Sequence, residues 1–234
     1  MGNGLKANTV NARLSALRSL VSLARTLGLV TWSLAIPGEK ARNFRDTRGP
    51  GEEGVRRMLR AIQEDKPKAL RDRALIRLTF DLALRRSEVC SLDLEDLDLA
   101  AGKVSVQGKG QGGEKDALTL PEPTKRALGA WLQARGDLPG PLFTSLDRAR
   151  KGSGRLSEEG LRRLVARYGE ISGVGRVRPH GIRHAAITRA LDVIGDVRKV
   201  ARFSRHADVR TVMAYDDNRQ DMAGEVAAAV AAGV

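Results

Sequence analysis

The sequence predicts a mainly α-helical protein with a small antiparallel three-stranded β-sheet, an α+β fold. Two patterns carry this prediction. Apolar residues recur at spacings of three and four along most of the 234 residues, which is the period of amphipathic helices. Residues 95–120 instead alternate apolar and polar side chains and contain five glycines, a pattern typical of short strands joined by tight turns.

The N-terminal part predicts a small appendage to one large domain, which is what a chain of this length allows. Residues 8–29 have helical spacing, with Gly28 as a C-cap. Residues 33–51 show no period and carry Pro and Gly at both ends, so we interpret them as a linker. The predicted organisation is an N-terminal helical segment over residues 1–32, the linker, and a main domain over residues 52–234.

The main domain opens with two predicted helices. The stretch GEEGVRRMLRAIQ places acidic residues in its first turn, where they complement the helix dipole. Pro67 begins the second helix, because proline is tolerated in a first turn. Ser87 is predicted to cap a short helix beside Arg85. More helices are predicted after the sheet, and the Ala-rich stretch Ala223–Val234 predicts the last one.

The charge of the chain points to a polyanionic partner. Forty-one Lys and Arg against 28 Asp and Glu give a net charge of +13, which favours nucleic acid. Aromatic residues are only 3% of the chain, which disfavours single-strand binding by base stacking and favours duplex DNA held through its phosphates. No apolar run reaches the roughly 18 residues of a transmembrane helix, and the start has no secretory h-region. The single cysteine, Cys90, excludes an internal disulfide and predicts a cytoplasmic location.

Every histidine lies within residues 178–215, and this concentration suggests a functional site. His180 and His184 have the spacing of a zinc-binding pair, with His206 as a conceivable third ligand. The glutamate of the HExxH motif is missing, however, and Arg183 between the two histidines would repel a cation. We therefore expect no metal and no other cofactor. His184 precedes an apolar stretch and is interpreted as a packed core residue.

An ordered set of motifs resembles the tyrosine recombinase family, which includes phage integrases and Xer-like enzymes. The motifs are ALRRSEV, similar to the GLRxSE-like motif of the family, then GKG in the hairpin, HGIRH, and a histidine nine residues before a tyrosine. The resemblance covers about residues 8–234. It implies the catalytic-domain fold of that family, preceded by only the last helix of a core-binding domain. It also implies these site residues: Arg85, Lys109, His180, Arg183, His206 and Tyr215, with Glu88 in support.

The chemistry of phosphodiester cleavage explains these residue types. Two arginines can stabilise the charge on a pentacoordinate phosphorus without a metal ion. Tyr215 would attack phosphorus, and the covalent phosphotyrosine would conserve the bond energy, so that rejoining needs no ATP. We assign His180 as the acceptor of the tyrosine proton and Lys109 as the general acid that protonates the leaving oxygen. His206 would hydrogen-bond a nonbridging oxygen, and Glu88 would orient the site from behind.

The resemblance also implies the product and the partners. Cleavage would leave a 3'-phosphotyrosyl end and a free 5'-hydroxyl on duplex DNA, and the enzyme would act as an integrase or resolvase within a DNA-bound tetramer. The C-terminal helix would dock into a neighbouring copy. Three alternatives stay open: a type IB topoisomerase with similar chemistry, a non-catalytic DNA-binding protein on the same scaffold, and a metal hydrolase, which would lose activity in EDTA. Taken singly, Arg85, Lys109 and Tyr215 are typical of surface or packing residues, and it is their order together that favours the recombinase.

The chain departs from the family pattern beside the last histidine. The family usually has Leu-Gly-His there, whereas this chain reads Phe203, Ser204, Arg205 and His206. Arg205 in place of glycine either changes the backbone that presents His206 or adds a phosphate contact.

Overall fold

The structure, a computed structural model, describes residues 5, 7–39, 49–63, 66–108, 115–146, 154–206, 208–216 and 230–232. The described residues form mostly helices and one small antiparallel sheet, so the predicted fold class is confirmed. The chain divides into two compact units, Met1–Asp46 and Thr47–Val234. Among the helices of the described ranges, none has the length and apolar character needed to cross a bilayer.

The first unit is one helix followed by a returning segment. Helix α1 spans Ala7–Thr26, and the chain then turns at Gly28, whose φ of 72° is one that glycine adopts without penalty. Asn11 on α1 exchanges two hydrogen bonds with the main chain of Glu39, at 2.9 Å and 2.8 Å. Residues 33–39 of the predicted linker therefore come back to α1, and the boundaries of that linker stay a prediction.

The second unit is organised around a central helix, α3 (Pro67–Asp81), which packs against α5 (Glu122–Arg135) and α7 (Pro179–Ile194). Helix α3 also contacts α2 (Gly51–Arg60), α4 (Arg86–Ser91) and α6 (Glu158–Ile171). Three apolar residues of α3, Leu75, Ile76 and Leu78, are fully buried. Burying side chains of this size contributes about 1.5–3 kcal/mol each, which fixes α3 as the core of the unit. Two further helices follow α7: α8 (Val197–Ser204) and α9 (Val209–Asp216).

The sheet has the strand order β1-β2-β3 and is antiparallel throughout. Its strands are β1 (Leu97–Asp98), β2 (Lys103–Gln107) and β3 (Lys115–Thr119). The alternation predicted from the sequence is present in β2, where Val104 and Val106 are fully buried and the flanking residues are not. The tip of the hairpin between β2 and β3, residues 109–114, lies outside the described residues, as does most of the predicted C-terminal helix.

Helix α4 starts differently from the prediction. Ser87 was expected to cap it, but Arg85 is the N-cap residue and the helix begins at Arg86. The carboxylate of Glu88 reaches back and accepts a hydrogen bond from the main-chain N–H of Arg85 at 2.7 Å. Glu88 therefore takes the capping role that is usual for an acidic side chain at the third helical position, and Arg85 is held at the helix start.

A second, smaller apolar cluster supports the C-terminal part of the unit. It joins α7, α8 and α9 through buried residues that include Ile187, Leu191, Val200 and Val212. Tyr215 packs against this cluster. The helices that carry His180, Arg183 and Tyr215 are thus fixed to one another and to α8 by apolar burial.

Candidate functional site

A basic cleft of about 380 Å³ lies where α4, α6 and α7 begin. Glu158 is the one acidic side chain among the described lining residues, and it is paired with Arg86 at 2.6 Å. The remaining positive charges make the cleft a site for an anion. Its basic lining residues are Arg85, Arg86, Arg162, Arg178, His180 and Arg183.

Glu88 is the buried anchor of Arg85. It is 3% exposed, and its carboxylate accepts from Nη1 of Arg85 at 2.5 Å and from Nη2 of Arg205 at 2.9 Å. Burial, the largest influence, raises the pKa of this carboxyl, but the charge of Arg205 and the hydrogen bonds from Arg85 outweigh burial and leave the pKa below its ordinary value. Glu88 is therefore ionised at neutral pH and orients Arg85.

Arg183 is held even more firmly. It is 2% exposed, and its guanidinium donates to the carbonyl oxygens of Ala83 and Ser204. Burial, and then the charge of Arg85, lower its pKa to about 10, so that it still carries its charge at neutral pH. Two charged guanidiniums therefore converge on one cleft with orientations set by the protein.

His206 follows α8 and adjoins Arg183, whose Nη2 lies 3.4 Å from its Nε2. Its Nδ1 lies 2.8 Å from the hydroxyl of Ser204, which itself donates to the carbonyl of Val200 at 2.7 Å. Because that hydroxyl has used its proton, we assign the ring proton of His206 to Nδ1 and an acceptor lone pair to Nε2. Burial, followed by the charge of Arg183, lowers the pKa of His206 to about 4, so that the ring is neutral at neutral pH.

Tyr215 on α9 lies beside His184 and His206. Its ring packs on that of His184, with 4.5 Å between the ring centroids, and lies 6.0 Å from that of His206. Burial raises the pKa of its hydroxyl, while the charges of Arg183 and Arg85 act in the opposite direction. The phenol is therefore protonated at neutral pH, and it needs a base before it can act as a nucleophile.

The structure brings together most of the predicted site residues. Arg85, Glu88, Arg183, His206 and Tyr215 form one connected group.

His180 lies at the start of α7 on the exposed side of the same cleft. Partial desolvation and then the charge of Arg183 lower its pKa, so that it is a neutral acceptor at neutral pH. Lys109 lies outside the described residues. His184 is buried, in agreement with its interpretation as a core residue, and its additional role is to support the ring of Tyr215.

Two residues behind the site have roles that the sequence did not predict. Ser204 fixes the ring of His206, and Arg205 binds Glu88 with a side chain that is only 9% exposed. Arg205 faces inward, which disfavours the phosphate contact considered for it. The departure from Leu-Gly-His was the available signal for both residues. Within the described ranges, no cluster of three or more His, Cys, Asp or Glu side chains has the arrangement of a metal site.

Comparison with known proteins agrees with this fold. Two solved structures have the same fold at low identity: the XerA recombinase (TM-score 0.63, 23% identical, covering 92% of this chain and 73% of that one) and the XerH site-specific recombinase bound to difH substrate in a pre-cleavage complex (TM-score 0.70, 21% identical, covering 96% and 65%). The second unit thus has the fold of a tyrosine recombinase catalytic domain.

Sequence similarity to known proteins identifies the family. Residues 51–222 match the phage integrase family, and the chain belongs to that family. Tyrosine recombinase slr0733 of Synechocystis sp. is 40% identical over 231 residues, which are 97% of this chain and 73% of the relative. Tyrosine recombinase XerC of Vibrio parahaemolyticus is 29% identical over 216 residues, which are 92% and 69% of the two chains. The protein is an enzyme of the tyrosine recombinase type, and its family supports site-specific DNA recombination.

Proposed function

We propose that this recombinase cleaves and rejoins duplex DNA through a 3'-phosphotyrosyl intermediate on Tyr215, with neither a metal ion nor ATP. The observation that carries the proposal is the convergence of Arg85 and Arg183 on one basic cleft, with His206 and Tyr215 beside Arg183. These residues come from four separate parts of the second unit, and apolar packing and buried hydrogen bonds fix their orientation. A preorganised set of donors of this kind suits a reaction in which negative charge develops on phosphoryl oxygens.

Each step of the proposed reaction has a residue to perform it. The scissile phosphate binds between Arg85 and Arg183, and Tyr215 gives its proton to His180 as its oxygen attacks phosphorus. The bond from phosphorus to the 5'-oxygen then breaks, and Lys109 protonates that oxygen, as we assign from the sequence. The phosphodiester is exchanged for another phosphodiester, so the bond energy is kept for the reverse reaction.

His206 changes its role when the phosphate binds. In the free protein its Nε2 is an acceptor that faces Arg183, because the ring proton is on Nδ1, which donates to the hydroxyl of Ser204. A bound phosphate oxygen needs a donor, and its negative charge raises the pKa of a neighbouring imidazole. His206 therefore takes up a second proton, or moves its proton to Nε2, as the phosphate enters.

The proposed partner is double-stranded DNA. The net charge of +13 and the basic cleft suit a duplex backbone, and the XerH relative was solved bound to difH substrate. Integrase and resolvase roles use the same chemistry, and the basic cleft suits both.

The experiment that tests this function offers the protein a pool of nicked suicide duplexes with randomised central sequence, in EDTA and without ATP. Such a duplex loses a short strand after cleavage, so that the covalent intermediate accumulates. We expect a protein–DNA adduct that maps to the peptide containing Tyr215, with a free 5'-hydroxyl on the released strand. No adduct, an adduct elsewhere, or a requirement for a divalent cation would each contradict the proposal.

We also propose that the protein assembles as a tetramer on DNA, with the C-terminal stretch of one copy in a groove of the next. The groove lies between α3, α5, α7 and α8 and has a volume of about 330 Å³. On its rim Val193 and Ile194 are 59% and 52% exposed. The stretch Ala223–Val234 consists of small apolar residues apart from Glu225, while Arg77 and Arg189 line the groove. Size and polarity are therefore complementary.

A single substitution in the groove tests this assembly. Val193→Asp places a charge where an apolar segment would pack, so we expect it to reduce the assemblies of several copies on cleavable duplex while leaving single copies bound. Sedimentation of the protein–DNA complexes measures this. Leu138→Asp is the matched control, since Leu138 is 76% exposed and does not line the groove. Equal assembly by the two variants would contradict docking in this groove.

A further inference from the structure

Arg205 occupies a backbone conformation that does not suit an arginine. It ends α8 with φ 52° and ψ 47°, in the left-handed region. Ala83, with φ 46°, is the other non-glycine residue with positive φ among the described residues. Both stand where the family pattern quoted above has glycine. Left-handed backbone is unfavourable for residues with a side chain, so surrounding contacts must hold these two residues in place.

The side chain of Arg205 supplies such contacts. Its Nη2 donates to the carboxylate of Glu88 at 2.9 Å and to the carbonyl of Ala83 at 3.2 Å. Its Nη1 donates to the carbonyls of Phe203 at 3.1 Å and Leu82 at 3.3 Å. One guanidinium therefore joins the end of α8 to the turn between α3 and α4.

The same guanidinium is not fully satisfied. Its Nε is buried and has no hydrogen-bond partner among the described residues. Burying a charge with an unpaired N–H is costly, and a buried ion pair is often no more stabilising than apolar packing. The contacts of Arg205 therefore suggest that it serves the geometry of the site more than the stability of the fold.

These contacts reach both arginines of the cleft. The carbonyl of Ala83 accepts from Arg183 as well as from Arg205. The carboxylate of Glu88 accepts from Arg85 as well as from Arg205, and the carbonyl of Arg205 accepts from Nη2 of Arg85 at 2.8 Å. Arg205 thus touches an anchor of each phosphate-binding arginine, although its own side chain is turned away from the cleft.

We propose that Arg205 is a positioning residue for DNA cleavage, which holds Glu88 and the Ala83 carbonyl so that Arg85 and Arg183 are aimed at the phosphate. This inference rests on the proposed function, since it assigns a role within the cleavage site. Misplacing a catalytic group by about 1 Å can cost on the order of 10²-fold in rate. We expect a loss of that size in the cleavage rate when the guanidinium of Arg205 is removed.

The proposal has a pH signature that a merely structural residue lacks. The charges that face Glu88 are Arg85 from the start of its own helix, Arg205 from the end of α8, and Arg183 from α7. Without Arg205, burial still raises the pKa of Glu88 and its strongest opposing charge is gone. Glu88 then becomes protonated at a higher pH than in the wild type. The rate deficit of the variant should therefore grow as pH falls from about 8 to about 5.

The test compares adduct formation by Arg205→Gly, Arg205→Lys and Arg198→Ala over this pH range, on the suicide duplex that the wild type cleaves. Glycine suits the left-handed backbone, so Arg205→Gly removes the guanidinium without adding strain. Lysine keeps the charge and should recover part of the rate. Arg198 is an exposed arginine on the same helix and serves as the control. Thermal unfolding of each variant verifies that it is folded.

A deficit that grows at lower pH, is reduced by lysine and is absent from Arg198→Ala supports the proposal. A pH-independent deficit, equal deficits for glycine and lysine, or a rate for Arg205→Gly within about threefold of wild type overturns it. If the wild type forms no adduct, the proposed function fails, and the positioning role is decided by unfolding alone. Arg205→Gly must then gain stability relative to wild type as pH falls, because the missing charge matters only while Glu88 is ionised, and an equal pH dependence in both proteins overturns the role.

Discussion

Tyr215→Phe is expected to form no covalent adduct with a nicked suicide duplex, while it binds the same duplex as tightly as the wild type. The phenol oxygen is the atom that would join phosphorus, and phenylalanine lacks it. The ring packs on His184 and against the apolar cluster of α7, α8 and α9, and phenylalanine keeps that packing. The loss should be complete within detection, which means a factor of at least about 10⁴. Denaturing electrophoresis of the adduct and a binding titration measure the two quantities.

The only other tyrosine in the sequence provides the matched control. Tyr168 is buried in α6, and its hydroxyl donates to Asp72 at 3.2 Å. Tyr168→Phe removes one buried hydrogen bond, so we expect a free energy of unfolding lower by about 1 kcal/mol and an unchanged adduct. An adduct that survives in Tyr215→Phe, or disappears only in Tyr168→Phe, would rule out Tyr215 as the nucleophile.

The parts of the fold that were predictable from the sequence are those determined by local pattern. Helical spacing located α1, α3 and α6, and alternation located β2, because a buried face imposes its period on the residues that form it. The start of α4 was predicted wrongly. Serine is the better capping residue by itself, but Arg85 and Glu88 have the spacing of a capping box. The hydrogen bond from the main-chain N–H of Arg85 to the carboxylate of Glu88 sets the start of the helix at Arg86.

The candidate site was predictable only where its residues form ordered motifs. Arg85, Arg183 and Tyr215 stand in such motifs, and the structure places them together. Arg205 does not, since its role depends on a left-handed backbone and on contacts with residues more than a hundred positions away in the chain. No local period encodes a contact of that kind. A departure from a family pattern indicates where to look, and only the folded chain gives the direction of the side chain.

Arg183→Lys is expected to reduce the cleavage rate by at least about 10²- to 10³-fold, the usual cost of losing one preorganised donor to a developing oxyanion. The planar guanidinium donates to Ala83 and Ser204 while it faces the cleft and His206. A lysine ammonium has no rigid fork and cannot keep all these contacts. Burial and the charge of Arg85, which already lower the pKa of Arg183, would lower that of a lysine at this position as well. Single-turnover adduct formation with saturating duplex measures the loss.

The loss of charge gives Arg183→Lys a pH dependence with a definite sign. The lysine amine becomes protonated as pH falls, so any residual cleavage should rise toward lower pH, in contrast to the deficit of Arg205→Gly, which deepens there. Arg126→Lys, on the exposed face of α5, is the control for the substitution itself and should behave as wild type. A rate within about threefold of wild type for Arg183→Lys would show that charge alone suffices at this position. The guanidinium of Arg183 would then contribute to the stability of the fold, through its hydrogen bonds to Ala83 and Ser204, and not to stabilisation of the transition state.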